Sequence, residues 1–368
     1  MLSFIFIAFA TIVAIQSLYY LLFFCSSIRK AKKNETIAYP PVSVIVCAKN
    51  EAENLKIFLP SIIEQEYKND FEIVLINDRS KDGTADIINT YSEEHPNIKV
   101  VNVLENENFW GNKKYALTLG IKAATNENLL FIDADCKPVS ENWISEMASN
   151  FSNTKSIVLG YGKYSKIKGS FLNKLIRYET LITAIQYFSY ARLNNPYMGV
   201  GRNLAYTKTD FFKVKGFIKH IKIKSGDDDL FINSIATRKN TAVSYSKDSF
   251  TESLPKKTFK EWISQKRRHV STAIHYKLKH KLALGLYYIT QILFLAIAAF
   301  LLIFRYNLEF TLLLIGIRYL FFYSAILLFG KKLNEKDLII LAPITEFTLI
   351  FIQLYIYIKN KIQTPTHW

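Results

Sequence analysis

A chain of 368 residues with 47 Lys and Arg against 31 Asp and Glu carries a formal net charge of +16, and half of its residues are hydrophobic. Its length suits one large domain or two small ones, no internal repeat or low-complexity segment interrupts it, and Cys25, Cys47 and Cys136 lack the C-x-x-C spacing of a zinc site or disulfide framework. The positive charge admits nucleic acid, an anionic membrane surface or anionic substrates. Much of it lies beside apolar runs, so the membrane is favoured and nucleic-acid binding is not expected.

Residues Leu2 to Phe24 carry no charge and are long enough to span a bilayer. A cleavable signal peptide competes, but no basic segment precedes the run and no small-residue cleavage site follows. The run reads as an uncleaved anchor, and Arg29, Lys30, Lys32 and Lys33 place its end in the cytoplasm. Tyr39-Pro40-Pro41 then opens a soluble domain facing a reducing compartment. Strands are expected over Val42 to Cys47, Phe71 to Ile76, Ile98 to Leu104, Leu129 to Ile132 and Ile157 to Tyr161. Helices are expected over Glu53 to Gln65, Ala85 to Glu94, Lys113 to Ala124, Trp143 to Phe151, Phe171 to Leu193, Asp229 to Thr237 and Thr258 to Lys281. This alternation predicts an α/β domain with a mostly parallel, Rossmann-like sheet and right-handed crossovers. Ligands of such sheets bind beyond the carboxyl ends of the strands, where each polar cluster of the first half falls.

Three further apolar runs, 282–304, 308–329 and 338–358, are each of spanning length. Arg318 interrupts the second and Glu346 the third, as structural partners or as the lining of a product path. Lys331, Lys332 and Lys336 put the turn between these two runs inside, which leaves the end of the chain outside, where Lys359 and Lys361 fit poorly. The expected organisation is an anchor over 1–26, a soluble domain over 39–255, a basic amphipathic interface helix over 256–281 and membrane helices over 282–368.

The most informative stretch is an apolar strand ending in Asp133-Ala134-Asp135. Residues i and i+2 of an extended chain point to one face, so both carboxylates aim at one point. Bare carboxylates that close repel. A hard divalent cation such as Mg²⁺ or Mn²⁺, with substrate phosphates completing its shell, resolves the repulsion. A turn with two solvated acids accounts for the same residues.

Five stretches follow in order: 42–51 (Val-Ser-Val-Ile-Val-Cys-Ala-Lys-Asn-Glu), 77–84 (Asn-Asp-Arg-Ser-Lys-Asp-Gly-Thr), Asp133-Ala134-Asp135, Gly226-Asp227-Asp228-Asp229 and Gln265-Lys266-Arg267-Arg268-His269. In this order they resemble the family 2 glycosyltransferases, and among them the membrane-embedded ones similar to cellulose and poly-N-acetylglucosamine synthases. The resemblance covers residues 41–270. It implies a GT-A fold that binds a nucleotide diphospho-sugar, with Cys47, Lys49 and Glu51 beside the nucleoside. Asp78 matches the aspartate that meets the uracil imide, which favours a UDP-sugar, and Asn77 can bond the base or ribose. The same residues would also make a good turn and helix start. Lys113 or Lys114 matches a basic residue near the nucleotide, the other being a solvated helix-start charge.

By the same resemblance Asp135 ligates the metal and Asp133 holds the ribose or a metal-bound water. Asp228 matches the catalytic base of an inverting displacement, with Asp227 on the donor side. Adjacent acids raise one another's pKa, which suits a base near neutrality. Asp229 reads as a helix N-cap or first-turn acid. Gln265, Arg267 and Arg268 match a Q-x-x-R-W motif that clamps diphosphate and acceptor. An interfacial helix whose cations meet anionic lipids is the competing reading, and both can hold. His269 stands where tryptophan is usual, which favours addition of one sugar over polymerisation. The implied protein is a metal-dependent transferase at the cytoplasmic face of the cell membrane, multi-pass, with a lipid-linked or polysaccharide acceptor. A processive polysaccharide synthase and a non-catalytic membrane scaffold are the alternatives. Protein partners are not legible.

Overall fold

The computed structural model describes residues 2–29, 39–104 and 113–363. Lys30, Lys32 and Lys33, on which the expected orientation leans, and Gly111 and Asn112 lie outside the described residues. The chain opens with helix α1 (Leu2–Ile28), then alternates β1 (Val42–Ala48), α2 (Ala52–Phe58), α3 (Pro60–Ile63), β2 (Phe71–Asn77), α4 (Thr84–Glu94), β3 (Ile98–Asn102), α5 (Lys113–Ala123) and β4 (Asn128–Asp133). After β5 (Cys136–Pro138) come α6 (Trp143–Ala148), β6 (Ile157–Leu159), β7 (Gly162–Tyr164), α7 (Phe171–Arg192), β8 (Leu204–Thr207), α8 (Lys208–Lys213), α9 (Asp229–Ile235), β9 (Thr241–Val243) and β10 (Thr251–Ser253). Helices α10 (Phe259–Val270), α11 (Leu278–Ile303), α12 (Leu308–Lys332) and α13 (Ala342–Ile362) complete it.

Seven strands form one sheet in the order β3-β2-β1-β4-β8-β6-β9. β1, β2, β3 and β4 run parallel, and β8 runs antiparallel to both β4 and β6. A second sheet, β5-β10-β7, was not foreseen, because its three-residue strands carry no readable period. The central strands are apolar because both faces are covered. Val42, Val44 and Val46 pack on one side with Leu55 and Ile62, while Ile45 and Val74 pack on the other with Ala116 and Ile121.

Two expected helices are interrupted. Pro60 lacks the N–H that would continue α2, and it starts the short α3 instead. The basic helix stops at Val270. A single 3-10 turn, Ala273–His275, leads from it to α11. Its start follows the sequence signal: Thr258 and Glu261 form a reciprocal capping box.

Helices α1, α11 and α12 are long and apolar enough to cross a membrane, with mean hydropathies of 2.1, 2.3 and 2.1. α1 lies against the other two. At one end its Ser3 hydroxyl is 3.0 Å from the Tyr306 hydroxyl between α11 and α12, and at the other Lys332 donates to the Ser27 carbonyl. The fourth expected span is helical, as α13. Glu346, Gln353, Lys359 and Asn360 leave it short of the composition of a span. Arg318 and Glu346 do pair. The guanidinium donates to both carboxylate oxygens, one at 2.9 Å, and to the Tyr20 hydroxyl at 3.0 Å.

Breaking a buried ion pair from one side strands a charge at a cost of about 3–5 kcal/mol, whereas replacing both partners with apolar residues is often neutral. Glu346→Leu is therefore expected to lower the thermal midpoint in detergent sharply, and Arg318→Met/Glu346→Leu to restore most of it. Equal losses in the two proteins would show that the pair does not hold the bundle.

Candidate active site

β1, β2 and β4 end side by side. Cys47 faces Ile76 across one ladder and Asp133 across the other, and Ala48 faces Asn77. The turns that follow therefore open on one edge of the sheet. The cleft there is lined by Cys47, Lys113, Asp133, Gly201, Asp227 and Asp228, over an apolar floor that includes Ile45, Phe131 and Tyr206. Burial pushes the Cys47 thiol up to about 12, so it enters the site as a neutral group.

Lys113 joins the acids of separate loops. Its Nζ lies 2.7 Å from Asp133 Oδ1 and 3.5 Å from Asp227 Oδ2. Burial pulls its pKa down, but Asp133 and Asp227 outweigh burial and hold it well above the lysine range. Lys114 has a different task from the one expected. It is fully buried, and its Nζ donates to the carbonyls of His220, Ile223 and Ser225 at 3.0, 2.6 and 2.6 Å. Successive helical side chains project about 100° apart, so the second lysine of the pair turns under the loop that carries the acids rather than into water.

Asp228 caps α9 and accepts two backbone N–H bonds at 2.7 Å, from Gly201 to Oδ2 and from Asp229 to Oδ1. Burial first, then Asp227 and Asp229, push its carboxyl up to about 8 against the pull of these two donors. Asp229 is a first-turn residue, as expected, but its carboxylate turns away from the cleft. It accepts from the hydroxyls of Thr272 and, at 2.6 Å, Tyr276, just past the end of α10.

Asp133, Asp135 and Cys136 each place one ligand atom within 4.8 Å of the others. Burial, with Asp133 beside it, raises the Asp135 carboxyl. Burial also holds the Cys136 thiol well above its usual range, and its Sγ is 2.8 Å from the Ser253 hydroxyl. The two carboxylates are oxygen donors of the kind a hard divalent cation takes.

The remaining expected contacts divide. Glu51 is half-buried and accepts from Asn54. Burial raises its carboxyl, and Asp135 and Asp133 add to this. Lys49 is exposed. Asp78 is 2% exposed, and one of its oxygens takes both Arg79 Nε and Nη2 at 3.0 and 2.8 Å. Asn77 donates to Asn102 at 3.2 Å and accepts from the Ser80 N–H at 3.1 Å, so it serves the turn. Gln265 reaches the Tyr164 hydroxyl at 3.5 Å, and Arg268 is half-buried. Arg267 is not brought to the cleft. Its Nε donates to Asn360 Oδ1 of α13 at 2.8 Å, and a second nitrogen donates to the Gln363 carbonyl.

One residue escaped the sequence reading. Arg202 stacks on Tyr164, 4.2 Å from the ring centroid, and its charge acts on Asp135. A lone arginine after Gly199-Val200-Gly201 was the available signal, but nothing in that spacing points toward the acids.

The parallel β1–β4 core, the reversed β8 and the acids at the strand ends define a GT-A-like α/β protein. Residues 43–215 match the profile described as Glycosyl transferase family 2, so the chain carries a domain of that family. Among similar proteins, the glycosyltransferase AglE of Haloferax volcanii is 30% identical over 126 residues, covering 34% of this chain and 40% of that one. A poly-β-1,6-N-acetyl-D-glucosamine synthase of Staphylococcus epidermidis is 35% identical over 103 residues, covering 28% and 24%. The chain thus spans less than half the length of these two relatives. The mannosyltransferase of Pyrobaculum calidifontis solved with GDP-Man and Mn²⁺ shares the fold, with a TM-score of 0.60 and 20% identity over 94% of this chain and 99% of that one.

Replacing Lys114 with methionine would leave three part-buried carbonyls without their donor, at up to about 1–3 kcal/mol for any of them that water does not reach. The Lys114→Met protein is expected to be cut by trypsin at Lys219, Lys222 or Lys224 under native conditions faster than the parent. Unchanged cleavage would show that Lys114 does not pin this loop.

Proposed function

We propose that the protein transfers one sugar from a nucleotide diphospho-sugar to a lipid-linked or glycan acceptor, with inversion at the anomeric carbon, and that Asp228 is the base. The observation that carries this reading is the state of Asp228. It lines the cleft across from Asp133, two N–H donors fix its carboxylate, and its pKa is pushed up to about 8. A carboxylate so tuned takes a hydroxyl proton far better than an ordinary aspartate. The acceptor oxygen attacks the anomeric carbon as its proton passes to Asp228 Oδ, and the bond to the diphosphate breaks on the opposite face.

Asp133 and Asp135 would hold a divalent cation, Mg²⁺ or Mn²⁺, which when bound supplies charge neutralisation for the departing diphosphate. Lys113 and Arg202 carry fixed positive charge to the same edge. Glu51, Asp78 and the end of β1 flank it on the nucleoside side. The GDP-Man and Mn²⁺ of the Pyrobaculum structure support a nucleotide-sugar donor and a metal. The apolar helices joined directly to the domain favour an acceptor delivered from the membrane, with the domain on the cytoplasmic side, where nucleotide sugars are made available. His269, in place of an indole, supports a single addition, while the similarity to a polysaccharide synthase keeps a processive enzyme as the second reading.

The test is a nucleotide-sugar panel on membranes containing the protein, with Mg²⁺ or Mn²⁺, scoring nucleoside diphosphate release and product length. One added sugar supports the reading, a ladder favours the processive one, and no release with any donor removes both. Asp228→Asn is expected to lower turnover about 10²- to 10⁴-fold with donor binding retained, and equal turnover would take Asp228 out of its role. Because the base works deprotonated, kcat/KM should fall about tenfold per pH unit below about 8. Asp227→Asn removes a neighbouring negative charge and should move that limb to lower pH. A limb that stays in place would show that Asp228 does not set it.

A further inference from the structure

α13 has 21 residues, about 30 Å at 1.5 Å per residue. Length alone would let it cross a bilayer, but its direction does not. α11 leaves the catalytic domain at Leu278 and ends near Tyr306, which meets Ser3 at the far end of the bundle. Along α13, Glu346 accepts from Gln291 of α11 at 3.4 Å, and the Ile350 carbonyl accepts from the Tyr288 hydroxyl at 2.9 Å. Asn360 then exchanges two hydrogen bonds with Arg267 of α10, at 2.8 and 3.0 Å. The partner's number falls as the α13 number rises, so α13 runs back toward the catalytic domain.

Its other end starts from the same side. Between α12 and α13, Glu335 and Asp337 accept from Arg177 of α7, at 3.0 Å to Nε and 2.7 Å to Nη1. The helix is therefore fastened to the catalytic domain before its first turn and again at its last. Its outer face carries Ile344, Phe347, Phe351, Tyr355, Ile358 and Ile362, spaced three or four apart and 47–81% exposed. Leu349, Ile350 and Ile356 are buried on the face that meets the protein. An apolar stripe of this length is a surface that water does not favour. Lys359 and Lys361 close its end.

We infer that α13 does not cross the membrane: it dips into the leaflet on the catalytic side and returns, its aromatic stripe against acyl chains and its terminal lysines against anionic headgroups. The end of α13 then lies on the same side as the catalytic domain. Arg267 becomes the latch that ties the interface helix to this lipid-seated helix. Lys359 and Lys361 no longer sit on the wrong side for positive charge. The inference does not depend on the proposed reaction.

Two measurements on the full chain test it. An epitope added after Trp368 is scored for antibody access in right-side-out and inverted vesicles, beside an epitope inserted after Lys168 in the catalytic domain. Both are expected to become accessible in the same orientation, and opposite orientations would overturn the inference. In a Cys25→Ser background, a nitroxide at Phe351→Cys is compared with one at Leu313→Cys of α12, in vesicles of phosphatidylcholine and phosphatidylglycerol. The label at 351 is expected, like the one at 313, to collide with oxygen more than with a water-soluble nickel chelate. A label open to the chelate, or sealed from both by a second copy or another protein, overturns the lipid contact. If Phe351→Cys does not reconstitute, Tyr355→Cys reads the same stripe.

Discussion

Carboxylates converging from separate loops repel one another, and a pair of adjacent lysines at the start of α5 holds them over the sheet edge. Lys113 supplies the opposing charge between Asp133 and Asp227. Lys114 lies beneath the cleft, where its charge still acts on Asp227, Asp228 and Asp229. It pins the backbone that delivers Asp227 and Asp228, by filling three carbonyls at once. One ammonium contacts carboxylates directly and its neighbour donates to main-chain carbonyls, because a helix turns successive residues apart. The Asp228 carboxyl is raised first by the burial this loop gives it and then by Asp227 and Asp229.

The same loop is tied to the segment that leads into the long apolar helices. Asp229 spends its carboxylate on Thr272 and Tyr276, so the residue beside Asp228 is anchored to the segment that joins α10 to α11. This explains why α10 breaks: the chain must turn for Thr272 and Tyr276 to reach back. On the other flank Arg29 donates to the Arg192 carbonyl, and Ser26 and Ser189 are 2.7 Å apart, so α1 grips α7 as well. The α/β domain and the apolar helices share contacts on several sides rather than hanging from one linker.

Much of this was legible beforehand. The β-branched runs gave the parallel strands, and the acids at their ends marked the cleft, because a buried strand and the polar turn after it differ sharply in composition. Of the acids expected to converge there, Asp228 lines the cleft with Asp133 and Asp227, whereas Asp78 and Asp135 are not among its lining residues. What was not legible involves side chains with two possible destinations. Lys113 and Lys114 look alike in a sequence, as do Arg267 and Arg268, and only the packing around each assigns a partner. Arg202 was missed for the converse reason: its partners, Tyr164 and Asp135, lie far from it along the chain.

The sequence by itself determined the alternation that builds the sheet, the edge on which the site opens, and the apolar helices that flank the domain. These depend on local composition and period, which a chain cannot hide. Tertiary structure alone decided which lysine meets the acids, where Arg267 points and which way α13 runs. Each of those is settled by contacts between residues distant in sequence, and their free energies depend on burial and geometry that exist only once the chain has folded.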